Sequence, residues 1–179
     1  QYLKPGMTIG LLGVLFENWA PGPVCDITIV GMGNKPRQAT SNGVPIGGGA
    51  TWLNATHNGT PTATSLLRIG GTSTDTGLSQ GWKLQNLYFN NAETGSATAD
   101  VELQRGDGAG VDVGRDASHA QFIGCVFTGT NHGILNQGGA SFVTVDGCEF
   151  YNFAAGTDTA IAYGTATSVA LPLQWIVRN

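Results

Sequence analysis

The chain has 179 residues, enough for one domain, and 41% of them are hydrophobic, so it can bury a core. Charged residues make up only 11%, against roughly 25% in an ordinary soluble domain. Eight Lys and Arg against twelve Asp and Glu leave a net charge of −4, which argues against a nucleic-acid binder or a polybasic membrane-surface protein.

The first apolar run, Ile9 to Phe16, is too short to span a bilayer. No small-x-small cleavage site follows it in Glu17-Asn18-Trp19-Ala20-Pro21, so it does not read as a secretion signal. We therefore expect residues 1–24 to be a lead-in or capping segment. The opening Gln1 and the strand-like ending Trp175-Ile176-Val177-Arg178-Asn179 fit a piece of a longer polypeptide.

Next comes Ile27-Thr28-Ile29-Val30-Gly31, the first copy of a recurring pattern. Trp82 to Phe89, Ala120 to Phe127 and Val143 to Phe150 repeat it as apolar-x-apolar-x-(Asn/Gly)-apolar-x-Phe, and Trp175 to Asn179 matches its first half. Alternation with period 2 marks a half-buried strand. The Asn or Gly interrupts it, as a residue tolerant of left-handed backbone does at a sharp bend. The pivots are Gly31, Asn86, Gly124, Gly147 and Asn179.

Between pivots lie further short strands: Leu67-Arg68-Ile69, Val101-Glu102-Leu103, Gly133-Ile134-Leu135 and Ile161-Ala162-Tyr163. An interval of two or three strands without helical periodicity is about one turn of a parallel β-helix. Stacked turns would align Phe89, Phe127 and Phe150 in one interior column, and Leu87, Cys125 and Cys148 in another. A β-sandwich is the structural rival, but it does not require one side-chain phase from copy to copy. The expected fold is all-β: a parallel β-helix of about four coils over residues 25–179, with 33–65 as a long surface insertion.

Gly-Cys-x-Phe at the pivots resembles the right-handed parallel β-helix of the pectate-lyase-like superfamily. The stretch Asp26 to Arg37, with Ala50-Thr51-Trp52 and Gly81-Trp82 after it, is similar to the first coil of β-helix proteins from tailed bacteriophages. That resemblance implies a virion structural protein, such as a tail spike, tail fibre or head decoration protein. It further implies a homotrimer at the particle surface, in contact with other virion proteins and with host cell-surface glycans. It brings no catalytic motif. A polysaccharide-degrading lyase or glycoside hydrolase is the rival class, and a bacterial surface adhesin the third.

Gly31-Met32-Gly33 imitates a dinucleotide fingerprint, but Pro36 stands where the third glycine belongs and no helix follows to hold a pyrophosphate. No cofactor is expected. Gly106 to Val113 is close to a calcium-binding nonapeptide, making Asp107 and Asp112 weak calcium candidates; a single copy lacks the stacked neighbours such sites use, so a tight loop is the expectation. Asp112, Asp116 and His119 cluster as an acid/base set that loop bends explain equally well.

Glycoside hydrolysis needs two carboxylates about 5–9.5 Å apart. The only acids near the pivots are Asp146, in an outward column with Val30, Gln85, Ile123 and Arg178, and Glu149, in one with Tyr88 and Val126. Asp146, Glu149 and Arg178 are therefore the catalytic candidates of the enzymatic alternative, with none expected for the structural one. Trp82 and Trp175 share a repeat position that points inward. The sequons at Asn54 and Asn58 fall in a Thr-rich stretch where they arise by chance. Cys25, Cys125 and Cys148 match neither a disulfide framework nor a zinc site; stacked thiols at Cys125 and Cys148 are expected, at bridging distance.

Overall fold

The computed structural model describes residues 2–33, 50–53, 65–70, 77–91, 99–103, 115–129, 132–136, 140–151, 153, 159–163 and 174–179. Those residues are all-β, and every strand pairing is parallel. No helix among them is long and apolar enough to cross a membrane.

Three sheets carry the fold. The first has six strands, in the order β1 (Thr8–Leu11), β3 (Thr28–Gly31), β7 (Lys83–Gln85), β11 (Gln121–Ile123), β14 (Thr144–Asp146) and β17 (Ile176–Arg178). The second runs β2 (Val14–Phe16), β4 (Ala50–Leu53), β8 (Leu87–Asn91), β12 (Val126–Gly129) and β15 (Glu149–Tyr151). The third runs β5 (Leu67–Ile69), β9 (Ala99–Leu103), β13 (His132–Asn136) and β16 (Thr159–Tyr163). The chain visits the sheets in this order again and again, so neighbours in a sheet come from successive visits. A side pair, β6 (Gly77–Leu78) with β10 (Arg115–Asp116), stands apart.

Register makes the core. Ile9, Ile29, Leu84, Phe122, Val145 and Val177 are cross-strand partners in turn along the first sheet. Along the second, Phe89, Phe127 and Phe150 form the expected column. Phe127 stacks on Phe89 at 5.3 Å and on Phe150 at 4.9 Å, both at an interplanar angle of 12°. Leu67, Val101, Ile134 and Ile161 continue the core along the third. Identical or similar residues stacked one strand apart are what a repeating layer needs, because each layer packs only on its neighbours.

The bends explain the repeat. Asn86, Gly124 and Gly147 all take left-handed backbone, with φ of 53°, 58° and 58°. Gly31 serves differently: its φ lies outside that region, but a Cβ there would strike the Asn86 carbonyl oxygen, so glycine is demanded by close approach. A second left-handed column precedes the first sheet by two residues and comprises Gly6, Asp26, Gly81, His119, Phe142 and Gln174. Backbone bonds tie it together: Asp26 N–H to Gln80 O at 2.8 Å, Gly81 N–H to Ser118 O at 3.1 Å, and His119 N–H to Ser141 O at 2.9 Å.

Two expectations differ in detail from the structure. Residues 1–24 do more than lead in, since β1 pairs with β3, β2 pairs with β4, and Trp19 bridges Leu67. They contribute a strand or bridge to each sheet. Residues 50–53 lie inside the stretch expected as a surface insertion, yet they form β4 between β2 and β8, with Ala50 and Thr51 buried.

Candidate functional site

The outward face of the six-stranded sheet carries Val30, Gln85, Ile123, Asp146 and Arg178 as cross-strand partners, as the alternation predicts. Asp146 and Arg178 face each other on β14 and β17, and a guanidinium nitrogen stands 3.3 Å from a carboxylate oxygen of Asp146. Their side chains are 40% and 62% exposed, so the pair sits in solvent.

Glu149 lies beyond the Gly147 bend, on the second sheet. Its Oε2 accepts the Tyr151 hydroxyl at 2.7 Å. The same contact, with smaller contributions from burial and from the charge of Glu149, pushes the Tyr151 phenol above its ordinary value. The three sequence candidates are therefore divided between two sheets, Asp146 paired with Arg178 on the first and Glu149 with Tyr151 on the second. Asp146 is engaged by a guanidinium and Glu149 by a phenol, whereas a glycosidase presents two carboxyls to one bond.

The second expected outward column differs. Tyr88 and Val126 are partners of each other, and Val126 of Glu149, but both are buried while Glu149 is half-buried. Alternation fixes which face a side chain leaves from; it does not say whether that face meets water.

His119, from the expected acid/base set, is exposed and stacks on Phe142 at 5.0 Å and 16°. Both occupy left-handed bends, and Phe142 is 43% exposed. Asp116 lies on β10, while Asp107 and Asp112 lie outside the described residues, as do both sequons. Among the described residues no group of three or more His, Cys, Asp or Glu is placed to hold a metal ion.

Two acids that sequence reasoning passed over are buried on β9. Glu102 Oε2 accepts from Ser65 Oγ at 2.7 Å and from Arg68 Nε at 3.0 Å. Asp100 Oδ1 accepts the Asn91 backbone N–H at 2.8 Å, while Oδ2 is buried with no hydrogen-bond partner among the described residues. Burial pushes the Asp100 carboxyl well above the usual carboxylate range, against the Asn91 and Thr128 amides that pull it down. It links the end of β8 to the start of β9, which is a corner-holding role. The one available signal was a charged pair at alternate positions of an otherwise apolar strand.

The tryptophans behave as the repeat requires. Trp82 is buried and donates Nε1–H to Val24 O at 2.8 Å; Trp175, half-buried, donates to Ala140 O at 2.9 Å. Each acceptor lies two residues before a left-handed bend of an earlier layer, Asp26 or Phe142.

Apolar side chains are exposed at both ends of the sheets, as well as at Met32, Leu78 and Phe142 between them. At one end, a cavity of about 350 Å³ is lined by Leu3, Met7, Ile9, Leu11, Leu15 and Trp19, with Leu12 and Val14 exposed beside it. At the other, Ile176 and Val177 on the edge strand β17 are 51% and 60% exposed. No known protein family, no curated protein and no solved structure matches this chain.

Proposed function

We propose that the chain folds as a right-handed parallel β-helix and serves as a structural component of a tailed-bacteriophage particle, a tail spike, tail fibre or head decoration protein assembled as a homotrimer. One observation carries the structural reading: among the described residues the sheets finish on edge strands with exposed apolar groups, at the Leu12 and Val14 end and at the Ile176 and Val177 end. Unpaired edges and apolar patches of this kind are surfaces that other protein covers. The low share of charged residues, 11% of the chain, supports close packing between identical subunits, because few charged groups must be desolvated. Host contact, in this reading, is with cell-surface glycans.

The test is solution mass by sedimentation, followed by mass spectrometry of purified particles. A trimer that copurifies with the particle is the expected result; a stable monomer absent from particles refutes the proposal. The second reading, a polysaccharide lyase or hydrolase, is favoured by the Asp146–Arg178 contact alone. Release of oligosaccharides from capsular or pectic polysaccharide, abolished by Asp146→Ala or Glu149→Ala, would establish it instead.

A further inference from the structure

Cys125 and Cys148 each follow a left-handed glycine, Gly124 and Gly147, both at φ 58°. Register fixes them opposite one another: Ile123 pairs with Asp146 before the bend, and Val126 with Glu149 after it. Two ladder bonds clamp the bend from both sides, Gly124 N–H to Asp146 O at 2.8 Å and Glu149 N–H to Cys125 O at 2.9 Å.

The thiols point the same way. Cys125 Sγ lies 3.4 Å from Leu84 O and 3.7 Å from Ile123 O. Cys148 Sγ lies 3.5 Å from Phe122 O and 3.6 Å from Asp146 O, the same two carbonyls one strand further along. Two residues in register on neighbouring parallel strands are separated by about 4.8 Å, inside the Cα window of roughly 4.4–6.8 Å that a disulfide accepts. Burial raises the Cys125 thiol above its ordinary value, and the neighbouring Cys148 adds to the rise. All three cysteines are reduced in this structure.

We propose that Cys125 and Cys148 form a redox site, which a peroxide converts to a disulfide stapling two successive layers of the fold. Cys125 is buried and Cys148 half-buried, so the oxidant meets Cys148 first. The Cys148 thiolate attacks a peroxide oxygen, the O–O bond breaks, and hydrogen peroxide leaves one oxygen on sulfur as a sulfenic acid and the other as water. Cys125 sulfur then attacks Cys148 sulfur and gives up its proton. The S–O bond breaks, a second water leaves, and the S–S bond forms. Two thiols and one peroxide become one disulfide and two waters. Cys25 takes no part: it precedes β3, and its Sγ lies 3.4 Å from Leu78 O in the side pair.

The 179-residue chain is treated with hydrogen peroxide, quenched, unfolded and alkylated, and its mass and cross-linked peptides are read. The expected result is two fewer alkylated thiols, a Cys125–Cys148 linked peptide, an alkylated Cys25 and a raised thermal midpoint. Cys125→Ser, checked for folding by circular dichroism, should leave a Cys148 sulfenic acid that dimedone traps. Cys148→Ser should leave Cys125 and Cys25 both alkylated. Three alkylated thiols in the treated wild type, a link that includes Cys25, or Cys148 oxidised to sulfinic acid without a cross-link would each overturn the proposal.

Discussion

Phe127→Ala is the perturbation that bears hardest on the stacked core. The ring is fully buried, lies between Phe89 and Phe150 at centroid distances of 5.3 and 4.9 Å, and meets Phe122 edge-on at 5.9 Å and 69°. Removing a buried phenyl ring costs about 3–5 kcal/mol, as lost transfer energy plus the cavity left behind. Each aromatic pair adds about 0.5–1.5 kcal/mol beyond area, so a site with three ring contacts belongs at the upper end. We expect a loss of about 5 kcal/mol, comparable to the whole stability of a marginal domain.

Phe150→Ala, at a half-buried ring with one stacked partner in the column, should lose about 2 kcal/mol. Urea unfolding followed by circular dichroism reads both losses as shifts in midpoint at constant slope. The reasoning fails if Phe127→Ala costs no more than Phe150→Ala. A stack running through successive layers must be held hardest at its middle.

Ala at Gly147 meets no atom within 4 Å, so its cost is the left-handed backbone alone, about 1–2 kcal/mol by urea midpoint; Ala at Gly31 drives a Cβ into the Asn86 carbonyl and should reach roughly 3 kcal/mol or prevent folding. Burial raises the Asp100 carboxyl above its ordinary 3.8, so the folded state keeps the proton longer than the unfolded chain. Its contribution is greatest below pH 3.8 and is lost as pH rises through the folded-state value. Asp100→Asn, which keeps the oxygen that accepts from Asn91, should flatten this part of the stability–pH curve and equal or exceed the wild type at pH 7. Arg178→Ala removes a solvent-exposed ion pair and should cost under about 1 kcal/mol, shrinking further at high salt, as read by thermal midpoints at two ionic strengths.

The pivot at Asn86, Gly124 and Gly147 was legible because only residues tolerant of positive φ recur there, and the Phe column because strand alternation resumes after each bend in one phase. The second left-handed column was not legible. It is filled by an Asp, a His, a Phe and a Gln as well as two glycines, and ladder bonds such as His119 N–H to Ser141 O hold residues there against their own preference. The layer of β1 and β2 escaped notice because Leu11 stands at the position of the pivot Gly31, and Leu15 rather than a Phe stands in register with Phe89.

Of the candidate site, the Asp146–Arg178 contact followed from counting to the pivot, since register converts equal offsets into neighbours. The burial of Tyr88, Val126, Asp100 and Glu102 did not, because it depends on what lies over the outer face of a strand, and strand period carries no information about that.

The central claim is that successive visits of the chain lie parallel and in register. Proton NMR of a sample with labelled phenylalanine tests it most directly, through contacts between ring protons and between backbone amides. The account predicts contacts from Phe127 to both Phe89 and Phe150, none between Phe89 and Phe150, and the interstrand pattern of a parallel sheet linking Gln121 to Thr144 and Thr144 to Ile176. Close Hα–Hα contacts of antiparallel pairing, or phenylalanine rings with no contact to one another, would contradict it.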